Sequence, residues 1–418
     1  MTTGAAPRFS ADRLRAALGT RRSTAPPSVE THRYSALAAN CPGEEVQTKV
    51  GPCYVAQWSF PLEHRHGDVS LADVLALDAR GVACLTRQPG HAAPRNPVYL
   101  DTETTGLSGG VGTYAFLIGL GSIEGKRVVV RQYLMRDYDE EPALLEAVSA
   151  QLAQHDAVVT YNGKSFDIPL VETRFIAARR SHAPVPELHL DLLHPARRLL
   201  RGSLERCALG DVERTILRHH RQEDVPSWMI PSIYFSYLRD GDARLLGGVL
   251  EHNRDDILSL IAFAGWLGKV FSAPQEAALP SMVLTRVAAT YESLGWVDDA
   301  MIALEYAISS ATNGGHRAEA ALQLARLLRA TGAGSMAEKM WRVAAEHSAL
   351  AIEALVAWAK YLEHEQRDYD GARAAVERAL THLQLDARRK LNTEPDPRRQ
   401  ALEHRLARIV RRRIRQRP

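Results

Sequence analysis

The spacing of apolar positions changes character three times along this chain. Residues 1–35 mix Ala, Arg, Ser and Pro without a sustained period, so a flexible segment reaching residue 43 is expected, with one short helix around Ala11–Leu18. Between residues 44 and 62, Val46, Val50, Tyr54 and Trp58 stand among polar and turn-forming neighbours. That pattern predicts a β-hairpin within a β-rich lead-in over 44–97. Gln88–Pro97 carries three prolines and a glycine and reads as a loop.

From residue 98 the chain alternates between strand and helix periods. Val98–Thr102, Tyr114–Leu120 and Arg127–Met135 read as strands, the last two joined by a turn at Glu124-Gly125. Glu141–Gln154 reads as a helix with Pro142 suited to its first turn. Ala157–Tyr161 is a strand, Pro169–Ala178 a helix and Leu188–Leu192 a strand, and helices then run to about Phe271. Three strands followed by helix–strand–helix–strand predict an α/β domain over 98–272, a mixed sheet flanked by helices.

From Pro280 only the helical period remains. Ala300 and Ala307 sit seven apart, as do Ala337 and Ala344, and Ala372 and Ala379. The pairs are offset by 37 and 35 residues, near the tetratricopeptide period of about 34. The first unit resembles a tetratricopeptide repeat at Ala288, Tyr291, Gly295, Ala300 and Ala307, the second at Ala325 and Gly332. The third departs, because Glu363–Asp370 is charged and lacks the turn glycine. An all-α tetratricopeptide-like domain is therefore expected over 280–383, with a plain helical bundle as the alternative, and a basic helix or tail over 384–418.

Composition adds bounds rather than detail. A chain of 418 residues is too long for one ordinary core. Hydrophobic residues at 45% and charged residues at 24% are those of a globular protein, with no apolar run of membrane-spanning length. The N-terminus lacks the pattern of a signal peptide, so a cytoplasmic protein without a membrane partner is expected. Cys41, Cys53, Cys84 and Cys207 show no CxxC spacing, which argues against a zinc or iron–sulfur site and for buried reduced thiols. The net charge is +3, yet residues 388–418 hold 12 Arg and Lys against 3 Asp and Glu. Such a tail either packs on the last helices with a solvated charged face or meets a polyanion.

Three short runs carry candidate chemistry. In the strand Val98–Thr102, Asp101 and the following Glu103 project to one face while Leu100 and Thr102 face the other. Paired carboxylates at the end of an apolar strand repel unless a cation lies between them; Mg²⁺ and Mn²⁺ prefer such oxygen ligands. Tyr161–Asp167 delivers a third carboxylate just before the next helix, where helix capping is the alternative role. Glu251–Asp256 lies in a helical period and puts His252 and Asp256 on one face. Asp255 is a rival ligand facing about 100° away. Asp191 is either a support to these carboxylates or structural, and His64 and His66 read as a surface loop.

Together these runs resemble the DnaQ-like DEDD exonuclease superfamily, of RNase H-like fold. Asp101–Leu107 (DTETTGL) is similar to its first motif and Tyr161–Asp167 (YNGKSFD) to its second. The runs at 108–121, 190–199, 223–239 and 251–260 look like the bacterial YprB-type RNase H-like family, over about residues 45–270.

The resemblance implies a metal-binding quartet of Asp101, Glu103, Asp167 and Asp256, holding two divalent cations, Mg²⁺ or Mn²⁺. It implies 3′→5′ exonucleolytic hydrolysis of single-stranded or frayed nucleic acid, DNA or RNA, by a two-metal mechanism. His252, four residues before Asp256, is then the candidate general base. Thr104, Thr105, Gly106 and Leu107, with Asn162 and Lys164, are the candidate substrate contacts. The helical repeats imply a protein partner. The competing readings are an endonuclease, or an inactive nucleic-acid-binding scaffold that docks proteins through its repeats; the intact carboxylates argue against the scaffold.

Overall fold

The run Ala115–Glu124 is apolar on both faces as far as Ser122 and is buried over that length, as befits a strand covered on two sides. It sits inside a mixed sheet. The structure is a computed structural model describing residues 37, 39–106, 112–180, 183–389 and 396–416. The expected helix at Ala11–Leu18 and the candidate contact Leu107 lie outside the described residues. The chain divides between Ser272 and Ala273 into two compact units.

In the first unit the sheet has seven strands among the described residues. They are β1 (Glu44–Thr48), β2 (Gly51–Pro61), β3 (Pro97–Thr104), β4 (Ala115–Glu124), β5 (Arg127–Leu134), β6 (Ala157–Thr160) and β7 (Leu188–Asp191), in the order β1-β2-β5-β4-β3-β6-β7. β6 pairs in parallel with β3 and β7; the other pairings are antiparallel. The lead-in hairpin is no separate piece: β2 pairs with β5 from Tyr54 to Pro61 and extends the same sheet.

The helices are α1 (Ala79–Thr86), α2 (Glu141–Leu152), α3 (Asp167–Ala177), α4 (Leu193–Leu200), α5 (Ile230–Asp240) and the 27-residue α6 (Leu246–Ser272). Strand alternation decides what each layer meets. Tyr99 and Gly121 face α6, where a Cβ on Gly121 would reach Ile257 at 2.4 Å. Val98 and Leu100 join the opposite core with Leu144, Val148, Val171 and Phe175 of α2 and α3. α6 also needs Gly265, since a Cβ there would lie 2.6 Å from the backbone nitrogen of Val74.

The second unit is helical among its described residues: α7 (Ser281–Ser293), α8 (Val297–Ser309), α9 (Gly314–Ala330), α10 (Gly334–Ala344), α11 (Ser348–Tyr361), α12 (Tyr369–Arg389) and α13 (Pro397–Gln416). Each packs on its sequence neighbour. Ala300, Ala307, Ala337, Ala344, Ala372 and Ala379 are all fully buried, so the seven-residue spacing marks the contact face. The basic helix α13 packs rather than trails. Leu402 and Ile409 are buried, and Arg405, Arg408 and Arg412 converge on the buried Glu363.

Candidate metal centre

β3 ends in the two carboxylates, and its pairing shifts between Glu103 and Thr104. Asp101 lies opposite Gly119 on β4. The missing side chain of Gly119 makes room for Asn253, because a Cβ there would lie 2.2 Å from Asn253 Oδ1. Asn253, fully buried on α6, donates from Nδ2 to Asp101 Oδ2 at 2.8 Å. Its Oδ1 accepts from Gln132 Nε2 at 2.8 Å, and Gln132 Oε1 accepts from Trp58 Nε1 at 2.7 Å. The lead-in hairpin thus fixes a carboxylate three strands away.

Thr102 does face the other layer, and there it holds the third carboxylate: its hydroxyl donates to Asp167 Oδ1 at 2.6 Å. Asp167 opens α3, two residues before the expected start at Pro169. The loop ahead of it turns at Asn162, whose φ is +67°. Asp191 pins that loop, accepting from the backbone nitrogens of Asn162 (2.8 Å), Lys164 (3.1 Å) and Leu193 (3.1 Å).

α6 brings in the remainder. His252 Nε2 lies 3.5 Å from Asp256 Oδ2 and 4.0 Å from Glu103 Oε1. Glu103, His252 and Asp256 each offer one donor atom, all within 4.8 Å of one another. Behind the ring, Nδ1 lies 2.7 Å from Asp224 Oδ1. An ionised carboxylate only accepts, so Nδ1 carries a proton and Nε2 is turned toward the acids. The guanidinium of Arg221 contacts Asp256 and Glu213 together, and its Nη1 lies 3.3 Å from the His252 carbonyl. Glu213 accepts from Ser259 Oγ, 2.7 Å from Nε2 of His66. His66 is therefore buried and stacked on His219, not in a surface loop as its spacing suggested. Asp255 pairs with Arg254 instead of joining the cluster.

The electrostatics follow from crowding. Burial, then the charges of Asp256, Asp167 and Glu103, push the Asp101 carboxyl well above its usual range, against the hydrogen bond from Asn253. Burial also raises Glu103 to about 8 and Asp167 to about 6, the latter opposed by Thr102. Burial alone would depress His252, but the Asp224 hydrogen bond and the charges of Asp256 and Glu103 carry it up to about 9. Three buried carboxylates whose ionisation is suppressed, with Asp256 beside them, are a donor set that divalent cations stabilise, so the residues fit such ions.

The candidate substrate contacts fall nearby. Thr104 Oγ1 donates to the Gly106 carbonyl, and Thr105 donates its backbone N–H to the Tyr114 carbonyl while its hydroxyl accepts from the Tyr114 N–H, so both shape the loop after β3. Lys164 opens instead on a cavity of about 790 Å³ with His189, His194 and Arg198. A second cavity, about 760 Å³, opens on His252 and Asp256 and is walled by Arg206, Arg214, His219 and His220. Asn253, Arg221, Glu213 and Asp224 were not anticipated. The arginine stands 35 residues before Asp256, and no spacing rule links residues joined only by tertiary packing.

Sheet order, flanking helices and the acidic strand end define an RNase H-like protein, and residues 98–268 match the RNase_H superfamily. That is a nuclease-type domain. The Bacillus subtilis protein YprB is 32% identical over 336 residues, covering 79% of this chain and 80% of that one. The chain belongs to the YprB family of RNase H-like proteins. A family B DNA polymerase from the archaeon Pyrobaculum calidifontis is 14% identical, with a TM-score of 0.32 over 53% of this chain and 30% of that chain. A likeness that slight carries no argument. The four cysteines are buried and free, and among the described residues no helix is long and apolar enough to cross a membrane.

Proposed function

We propose that this protein is a metal-dependent 3′→5′ exonuclease that hydrolyses single-stranded or frayed nucleic acid. The observation that carries the reading is the meeting of Asp101, Glu103, Asp167 and Asp256 at one end of the sheet, largely out of water, where the charges of the other three bear on Asp101. Asp101, Glu103, Asp167 and Asp256 would hold two divalent cations, Mg²⁺ or Mn²⁺, which would supply charge stabilisation for phosphodiester hydrolysis.

The chain's own residues hold and orient. Asp101 is fixed by Asn253 within reach of the charges of Asp167, Glu103 and Asp256. The loop that begins at Thr104, directly after Glu103, and the loop at Asn162, ahead of Asp167, are the candidate contacts to a sugar or phosphate. In the second unit, the stacked helices present a docking surface for a protein partner.

The test is digestion of end-labelled DNA and RNA with Mg²⁺ or Mn²⁺. Stepwise loss from the 3′ end, abolished by Asp101→Asn and by a blocked 3′ terminus, is the expected result. Cleavage that survives the block makes the enzyme an endonuclease. Activity unchanged in Asp101→Asn removes the site from the chemistry.

A further inference from the structure

His252 is the group whose sequence-based role, a proton acceptor, fits its surroundings least. It is 7% exposed and projects from the second turn of a long helix. Its Nε2 has one hydroxyl in range, Ser227 Oγ at 3.4 Å, a long contact for a buried ring nitrogen. Its other neighbours there are two carboxylate oxygens, of Asp256 and Glu103. A base waiting for water needs water between itself and the metal ligands; here the ring stands against the ligands themselves.

We propose that His252 is itself a metal ligand through Nε2, completing a Glu103–His252–Asp256 position that takes Mn²⁺ in preference to Mg²⁺. Three observations support this. The three side chains present donor atoms within 4.8 Å of one another, so small rotations bring all three onto one ion. The far nitrogen of the ring is held by Asp224 at 2.7 Å, the carboxylate–imidazole arrangement that fixes the tautomer and direction of a metal-binding histidine. Arg221 occupies Asp256 Oδ1 and leaves Oδ2, the oxygen nearer Nε2, for an ion.

The metal preference follows from the donors. Mg²⁺ demands oxygen ligands and keeps its waters, whereas an imidazole nitrogen suits a first-row transition ion. This inference shares with the nuclease reading only the location of the ions. Its test uses binding rather than turnover.

The experiment is titration of the full chain, stripped with chelator, with Mn²⁺ alone, reading free Mn²⁺ by electron paramagnetic resonance and bound Mn²⁺ by pulsed nitrogen-coupling spectra. The wild type should show an imidazole nitrogen coupled to Mn²⁺. His252→Ala should lose that coupling and bind one Mn²⁺ at least about tenfold more weakly. Asp224→Asn, which keeps the ring, should weaken Mn²⁺ by about ten- to a hundredfold while retaining some coupling. Mg²⁺ should displace wild-type Mn²⁺ poorly and His252→Ala Mn²⁺ more readily. Bound Mn²⁺ without nitrogen coupling in the wild type overturns the proposal, and that measurement needs no variant to fold. Wild-type Mn²⁺ affinity in His252→Ala overturns it as well; if turnover is then lost, His252 is a base and the nuclease reading stands. Wild-type digestion without any cation binding at the carboxylates removes both.

Discussion

Arg221 sets one guanidinium against both Asp256 and Glu213, so a residue of the loop before α5 fixes a carboxylate on α6. All three side chains are largely buried. Removing the arginine leaves two uncompensated carboxylates, and loss of one partner of a buried pair costs about 3–5 kcal/mol. Arg221→Met is therefore expected to unfold at lower urea concentration, and adding Glu213→Gln should recover part of the loss. Equal midpoints for Arg221→Met and wild type would show that the contact contributes nothing.

Gly119 has a predicted cost of a different kind. A methyl group there must displace Asn253, and with it the donor that holds Asp101. Gly119→Ala should lose about 1–3 kcal/mol through overpacking and should also weaken divalent-cation binding. Asn253→Ala, made alone, should weaken cation binding by releasing Asp101. Calorimetric titration with Mn²⁺ checks both, and normal affinity in either variant counts against the Asn253–Asp101 link.

Cation binding should strengthen as pH rises from about 5.5 to 8.5, since burial holds Asp167 at about 6 and burial with the charges of Asp256 and Asp167 holds Glu103 at about 8 in the metal-free fold. Both are raised above their unfolded values. Their contribution to stability is thus present at low pH and lost as pH climbs through those values. His252, raised to about 9 mainly against burial by Asp224 and the acids, has the same sign. The metal-free protein should grow less stable over this range, while Mn²⁺, which requires deprotonated ligands, raises the melting temperature more at pH 8 than at pH 6. A pH-independent Mn²⁺ shift would contradict the crowding of these groups.

In the helical unit, Glu363 gathers Arg405, Arg408 and Arg412 from α13. Glu363→Ala should release that helix to trypsin, with new cleavage at those arginines and little effect on residues 98–268. It should also free positive charge, steepening the salt dependence of any nucleic-acid binding. Protection of α13 in the variant would place its anchor in the buried Leu402 and Ile409 and the Arg413–Asp370 pair.

The sequence by itself determined much of this protein. The alternation in Val98–Glu103 predicted that Asp101 and Glu103 share a face, and the chain's register against β4 and α6 agrees. The seven-residue alanine spacing marked the contact faces of the second unit. Such features rest on local periodicity, which a backbone of fixed pitch imposes wherever the chain goes. Only the tertiary structure decided that the 44–61 hairpin joins the main sheet and that Trp58 supports Asp101 through Gln132 and Asn253. It alone placed Arg221 on Asp256, buried His66, and sent α13 onto Glu363. Those contacts join residues tens to hundreds of positions apart, and their partners are chosen by packing and the need to neutralise buried charge, which leave no period in the chain.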